Sequence, residues 1–303
     1  MAHFIDNDWN LNNRIINLIK VSNHKGATIG EEIESSILQL GIKKIFTIIV
    51  NNASSNQIAI DYLRRRAKVR NCIVLDNEFM YRRCCTHILN LIVNEGLKEV
   101  NELVVKVRNA VKYMKSSPAR PDKFKLCADK QNILGGGLLC LDVPTRWNST
   151  YLMLTMALKY GATFDLMQDE YGQFVLHLLE IGGREPKSDN WKTIDAFVSF
   201  LKIFYDVTLQ ISRSTNANSN FFIKEVAKLY RHLNKFSQSV DKKLAIMSER
   251  MLLKYNNYWG DFEKVNKILF IATMLDPRSK LEVLEFWFID FLGPGEHPSL
   301  LHY

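Results

Sequence analysis

Residues Phe46–Asn56 read FTIIVNNASSN, and the fold turns on them. Ile45 to Val50 is short, β-branched and almost free of polar breaks, the pattern of a central strand covered on both faces. Ser54, with Gln57 three residues on, has the form of a helix capping box, and Ile58, Tyr62 and Leu63 follow as the core face of that helix. A strand running into a helix is the unit of a parallel α/β sheet, whose chemistry collects at the strand exits. The residue at this exit is Asn51. A metal-dependent nuclease would keep a carboxylate there, and an amide carries no charge.

Working outward, Met1–Asp6 reads as the end of a strand. Trp9–Val21 alternates loosely and predicts a second strand, paired with the residues before Asp6. Ile29, Ile33, Ile37 and Leu40 predict a helix over 29–40 with Glu31 and Glu32 in its first turn, stopped by Gly41. The helix after Ser54 ends in Arg64, Arg65, Arg66, Lys68 and Arg70. Read alone, this run is a solvated helix end where cations suit the dipole; the sharper reading is a phosphate-contacting patch. Apolar residues from Ile88 to Met114 recur at helical spacing and predict one long helix over 84–115. Ser116–Gly137 reads as a loop, and its Gly135-Gly136-Gly137 lacks the Lys-Ser/Thr of a phosphate loop. Leu138–Asp142 predicts a short strand ended by Pro144.

From Arg146 the pattern is helical. Ser188 or Asp189 caps a helix with Trp191, Ile194, Phe197, Val198, Leu201, Phe204 and Tyr205 on one face. A polar turn over 212–219 separates it from helices near 221–233, 244–258 and 263–275, after which Pro277 breaks the pattern and 281–291 resumes it. Trp191 and Trp259 read as core. The alternating half and the helical half meet near residue 150, so the expected domains are 1–150 and 151–303.

The chain of 303 residues carries a formal charge of +8, which favours an anionic partner, nucleic acid first. Cys72, Cys84, Cys85, Cys127 and Cys140 form no disulfide framework and fit a reducing compartment, cytosol or nucleus. Apolar runs such as Ile88–Val93 are too short to span a bilayer, so no membrane is expected. Both termini read as cut from something longer, the C-terminal one after the Gly293–Pro298 loop.

Four stretches in order, with a fifth and weaker one after them, resemble one family. They are Ala2–Trp9 (AHFIDNDW), Val50–Asn56 (VNNASSN), Arg83–Leu91 (RCCTHILNL), Leu141–Thr150 (LDVPTRWNST) and Leu275–Leu281 (LDPRSKL). Together they are similar to the hAT superfamily of DNA transposases, nearest its plant sleeper-type, zinc finger BED domain-containing members. The resemblance implies an α/β ribonuclease H-like core with a mixed sheet, incomplete over 1–150, followed by a mainly α-helical insertion domain over 151–303. It implies cutting and joining of DNA by two Mg²⁺ or Mn²⁺ ions on three carboxylates. The second of these corresponds to Asn51; the first and third would lie before and after this stretch, as would the family's zinc finger before Met1. Asp6, Asp8 and Asp142 are the acids that could substitute, and turn or cap roles suit them better.

The expectation is therefore a transposase-like protein without catalysis and without a bound cofactor. It would be nuclear, binding DNA weakly and non-specifically, with other transposase-like proteins as further partners. The alternative is a domesticated regulator or interaction module. Cys84 and His87 lack a second ligand pair, which argues against zinc; the resemblance gives them a role beside the DNA strand. Trp147 would stack on a flipped base with Arg146 on a phosphate, or else fill a domain junction, and the two readings stay open. Arg64, Arg65 and Arg66 complete the expected DNA-contacting set.

Overall fold

The computed structural model describes residues 1–71, 74, 79–133, 137–212, 219–261 and 265–279. Cys72, Gly135, Gly136, most of the polar turn (213–218), Glu263 and the expected helix over 281–291 lie outside the described residues. In chain order the elements are β1 (Ala2–Ile5), β2 (Leu11–Arg14), α1 (Gly26–Gln39), β3 (Ile48–Val50), α2 (Ser54–Val69) and β4 (Tyr81–Arg83). Then come α3 (Cys85–Leu97), α4 (Asn101–Lys115), α5 (Ala119–Lys130), α6 (Trp147–Lys159), α7 (Gly161–Glu170) and α8 (Gly172–Glu180). The last are α9 (Ser188–Ile211), α10 (Phe222–Ser237), α11 (Lys242–Trp259) and α12 (Ile268–Met274). No helix among the described residues is long and apolar enough to cross a membrane. The chain divides into two compact units: Met1–Leu89, Val207–His232 and Leu253–Tyr303 form one, Asn90–Asp206 and Leu233–Leu252 the other. Residue 150 lies in α6, inside the second unit.

In the first unit β1 and β2 pair antiparallel, from Ala2 opposite Arg14 to Ile5 opposite Leu11. The second strand stops at Arg14 rather than reaching Val21. Asp6 closes the hairpin: its carboxylate accepts from the backbone N–H of Asp8 (3.1 Å) and Asn10 (2.8 Å) and from the Asn12 amide (2.8 Å). β3 and β4 pair in parallel, Ile48 opposite Tyr81 and Val50 opposite Arg83. Among the described residues each sheet has two strands. Ile49 is 52% exposed, so β3 is open on one face where its apolar run predicted cover on both.

The two helices of this unit meet more closely than their isoleucines suggest. Gly26, Gly30 and Glu34 of α1 are buried, while Ile29, Ile33 and Ile37 are half-buried and Leu40 is exposed. A Cβ on Gly26 would stand 2.3 Å from the Ser55 carbonyl oxygen, and one on Gly30 2.8 Å from the Tyr62 ring. Two residues without Cβ, four apart on one helix face, thus admit the backbone of α2. On α2, Ala59, Ile60, Leu63 and Ala67 are buried and Ile58 is exposed, against expectation. The predicted capping box is not formed either. The N-cap is Ala53 without a side-chain bond, Ser54 is already helical, and Gln57 Nε2 donates to Asp61 Oδ1 (3.1 Å). Gly41 does end α1: at φ +63° its N–H donates to the Leu38 carbonyl (3.0 Å) and that of Ile42 to Ile37 (3.0 Å), a Schellman turn. Leu63, Ala67 and Met80 form a small core with Ile33, Ile48 and Tyr62 against it.

The second unit is helical. The predicted 84–115 helix is interrupted by a 3-10 turn at Lys98–Val100 before α4 begins. The expected loop over 116–137 contains α5, which turns Phe124, Cys127 and Ala128 inward; the Phe124 ring lies 5.2 Å from Tyr160 and 5.0 Å from Phe164. Residues 138–142 join no sheet. Their fixed point is Asp142, whose fully buried carboxylate accepts two 2.7 Å bonds from Arg108 and one of 2.7 Å from the Thr150 hydroxyl. Along α9, Trp191, Ile194, Phe197, Val198, Leu201 and Phe204 are buried as their spacing predicts, and Trp191 stacks on Phe164 at 5.5 Å.

Candidate functional site

The parallel pair sets two strand exits side by side. The Cys84 N–H donates to the Val50 carbonyl (2.9 Å), so Asn51 and Cys84 leave adjacent strands at one edge. From there α2 and α3 both depart. Asn51 is exposed, and Asn56 Nδ2 donates to its carbonyl oxygen (3.2 Å) and also to its side-chain oxygen. Asn52 Nδ2 donates to the Tyr258 hydroxyl (2.8 Å), fastening the strand exit to the end of α11.

These residues do not fit a two-metal carboxylate centre. The Asn51 oxygen is neutral and already accepts from Asn56, and hard cations favour anionic oxygen. Asp6 is consumed in its turn, where the Asn10 N–H bond leads the causes that hold its carboxyl low. Asp142 is neutralised by Arg108 within the other unit. Among the described residues no three His, Cys, Asp or Glu side chains converge.

Cys84, just before α3, and His87, on its first turn, are both half-buried, and Cys84 Sγ lies 3.1 Å from the Thr86 hydroxyl. The neighbouring Cys85 is buried, and burial pushes its thiol up, with the Arg82 charge opposing.

The basic run of α2 divides. Arg66 and Arg70 reach Glu34 of α1 at 2.9 and 3.0 Å, and Tyr62 donates its hydroxyl to the same carboxylate (2.7 Å). Burial raises the Glu34 pKa, but the bonds from Tyr62 and Arg66 and the two guanidinium charges outweigh it and leave it lowered. Arg64 lies 3.8 Å from Asp61 and 5.8 Å from the Tyr81 ring centre. Arg65 is exposed. Of the three arginines expected on DNA, Arg66 also joins the two helices through Glu34 and keeps part of its side chain exposed.

Arg146 is exposed and Trp147 is not. Trp147 opens α6, its N–H donating to Asn90 Oδ1 (3.3 Å), and its ring packs edge-on to Tyr151 (6.2 Å) and Tyr205 (6.5 Å). At 2% exposure it has no face open to a base, which corrects the stacking expectation. An aromatic beside an arginine does occur elsewhere. The Arg83 guanidinium lies 5.9 Å from the Tyr258 ring centre, and that of Arg82 lies 5.7 Å from Phe222. Sequence reading passed over Tyr258 and Arg82. The signal was the Arg82-Arg83 pair at the strand exit, masked by the more familiar Cys84-x-x-His87.

A short parallel pair with helices leaving its exits places the first unit in the α/β class. Comparisons with known proteins agree and go further. Residues 1–79 match the ZBED1 RNase-like domain, 82–200 the ZBED1 RNase-like helical domain and 220–300 the hAT-like transposase, RNase-H fold. The rice zinc finger BED domain-containing protein RICESLEEPER 2 is 31% identical over 298 residues, 96% of this chain and 39% of that protein. A putative AC transposase of Zea mays is 31% identical over 297 residues, 96% of this chain and 35% of that protein. A putative transcriptional regulator, tpeD of Talaromyces stipitatus, is 26% identical over 313 residues, 93% and 34% of the two chains. The chain belongs to the transposase-derived hAT family with BED-type relatives. It spans about two fifths of the length of the sleeper-type relatives it matches.

Proposed function

We propose that this chain is a hAT transposase derivative that binds DNA in the nucleus without cutting it. The helical unit acts as an insertion in a ribonuclease H-like core. The observation that carries the reading is Asn51: an uncharged side chain at the strand exit, bonded to Asn56. Without converging carboxylates among the described residues to hold paired ions, no water or 3′-hydroxyl is activated. The basic balance and the exposed Arg65 and Arg146 support contact with phosphates rather than base reading. Pure protein incubated with Mg²⁺ or Mn²⁺ and supercoiled plasmid is expected to leave the plasmid intact. Metal-dependent nicking that co-purifies with the chain and is lost in Asp6→Asn or Asp142→Asn while the melt is unchanged would overturn the reading.

A second reading, a domesticated regulator, is favoured by the likeness to a protein named as a transcriptional regulator. It requires sequence preference. Gel-shift titrations at physiological salt that discriminate among duplexes by more than about 10³-fold would favour it.

A further inference from the structure

A cleft of about 470 Å³ opens within the first unit, beside the strand exit. Its walls include β4, the start of α3, the start of α10 and the end of α11. Arg82, Arg83 and Tyr258 line it with Phe222, Asn256 and Asn257. Asp261 is the single carboxylate among the described lining residues, against the two arginines.

The arginines differ in what they have left to offer. Arg82 is anchored: Nη1 donates to Ser219 Oγ (3.2 Å), Nη2 to Cys85 Sγ (3.4 Å), and its plane lies over Phe222. Arg83 is exposed and leans on the Tyr258 ring. A guanidinium fork held by an aromatic ring is pre-set for a phosphate, with little side-chain entropy left to lose. Tyr258 is itself pinned through its hydroxyl by Asn52, so its ring is a fixed platform. Asn256 and Asn257, both exposed, add amide donors and acceptors at the rim. The volume falls in the range of small-ligand pockets and is far too narrow for a duplex.

We propose that this cleft takes one unpaired nucleotide, its phosphate on Arg83 with support from Arg82, and its base on the Tyr258 ring. The nucleotide can come from a single-stranded stretch of DNA or from solution. The strand source rests on the DNA-binding reading above; the free source does not. Aromatic stacking of bases tolerates any sequence, which suits a chain that contacts DNA without reading it.

The test uses the full chain and three probes by fluorescence anisotropy and competition: a labelled 12-nucleotide oligodeoxynucleotide, its blunt duplex, and free dAMP. The variants are Arg83→Ala, Tyr258→Ala and Tyr258→Phe, with thermal melts to confirm folding. The expected result is that Arg83→Ala and Tyr258→Ala each weaken single-strand binding about tenfold, while duplex binding changes less than about twofold. Tyr258→Phe keeps the ring but loses the bond from Asn52, so it should fall between wild type and Tyr258→Ala. If dAMP competes at concentrations comparable with the oligonucleotide, the source is a free nucleotide; if it competes only in large excess, the source is a strand. If neither oligonucleotide binds, the DNA reading fails alone, and dAMP binding that Arg83→Ala abolishes still supports the cleft. Single-strand or dAMP binding that is indifferent to Arg83→Ala and Tyr258→Ala would overturn the proposal, as would no binding of any probe.

Discussion

Asn56 donates its side-chain amide to the backbone carbonyl of Asn51 at 3.2 Å and to the Asn51 side-chain oxygen. The strand exit is thereby closed on itself by a local amide pair, at the position to which the family resemblance assigns a cation-holding carboxylate. Asn51→Asp should strengthen this bond, because a donor to an ionised acceptor is the stronger kind. It should not create a two-metal centre, because the described lining of the neighbouring cleft offers a single carboxylate, Asp261. The expected outcome is a melting temperature that does not respond to millimolar Mn²⁺ in wild type or variant, and no plasmid nicking by either. Nicking by Asn51→Asp but not by Asn51→Ala would mean that other ligands assemble there.

Glu34 is the hub of the α1–α2 contact, shared by Tyr62, Arg66 and Arg70. Glu34→Ala strands those donors, and the expected loss is about 1–3 kcal/mol in urea unfolding. The pH dependence has a defined sign. The folded pKa is lowered, so the stabilisation is complete above the ordinary carboxylate value and fades as pH falls through the lower folded one. The gap between wild type and Glu34→Gln should therefore be widest near neutral pH and shrink below about pH 4. A gap independent of pH would show that the carboxylate contributes by packing alone.

What the sequence made legible was whatever is written locally. An unbroken β-branched run marks β3, though not its one open face, and helical spacing marks the inward face of α9. β4 was not legible, since Tyr81, Arg82 and Arg83 hold a strand only through their ladder to β3. α5 hid in a Pro- and Lys-bearing stretch because three inward residues suffice to dock it. The site followed the same divide. Asn51 and its strand exit could be placed from the pattern and the resemblance. The burial of Trp147 and the pairing of Arg83 with Tyr258, 175 positions further along, are tertiary facts with no local trace.

Two glycines should fail for opposite reasons. Gly26→Ala drives a Cβ to within 2.3 Å of the Ser55 carbonyl oxygen and 2.5 Å of Ile58 Cβ, and backbone cannot step aside as a side chain would. Overpacking of about 1–3 kcal/mol outweighs the small propensity gain at the first helical residue. Gly41→Ala meets nothing within 4 Å but must hold φ near +63°, which costs about 1–2 kcal/mol. Pairing each with the same second substitution separates the causes. Ile58→Gly, which removes the Cβ at 2.5 Å, should relieve Gly26→Ala in part relative to Ile58→Gly alone, and leave Gly41→Ala unchanged in chemical denaturation.

Asp142 is a structural acid. Its carboxylate is fully buried on Arg108 and Thr150, so Asp142→Ala leaves Arg108 without its counter-ion and is expected to cost about 3–5 kcal/mol. Asp142→Asn keeps the shape and part of the bonding and should cost less. Any DNA affinity should survive in the folded fraction of both. Loss of binding in a variant whose melt is unchanged would instead assign Asp142 a role at the nucleic-acid surface.

Arg146 and Trp147 are adjacent in sequence and opposite in exposure, so their substitutions should separate cleanly. Trp147→Ala empties a well-packed site beside Tyr151 and Tyr205, with an expected loss of about 3–5 kcal/mol and DNA affinity unchanged once corrected for folded protein. Arg146→Ala should leave the melt within about 0.5 kcal/mol, since the side chain is exposed. If Arg146 meets a phosphate, the slope of log affinity against log salt should flatten by about one. Reversed behaviour, a Trp147→Ala chain that melts normally but binds single strands poorly, would mean that the indole leaves its pocket to meet a base. The geometry argues against this, because expulsion would cost the same packing that its truncation removes.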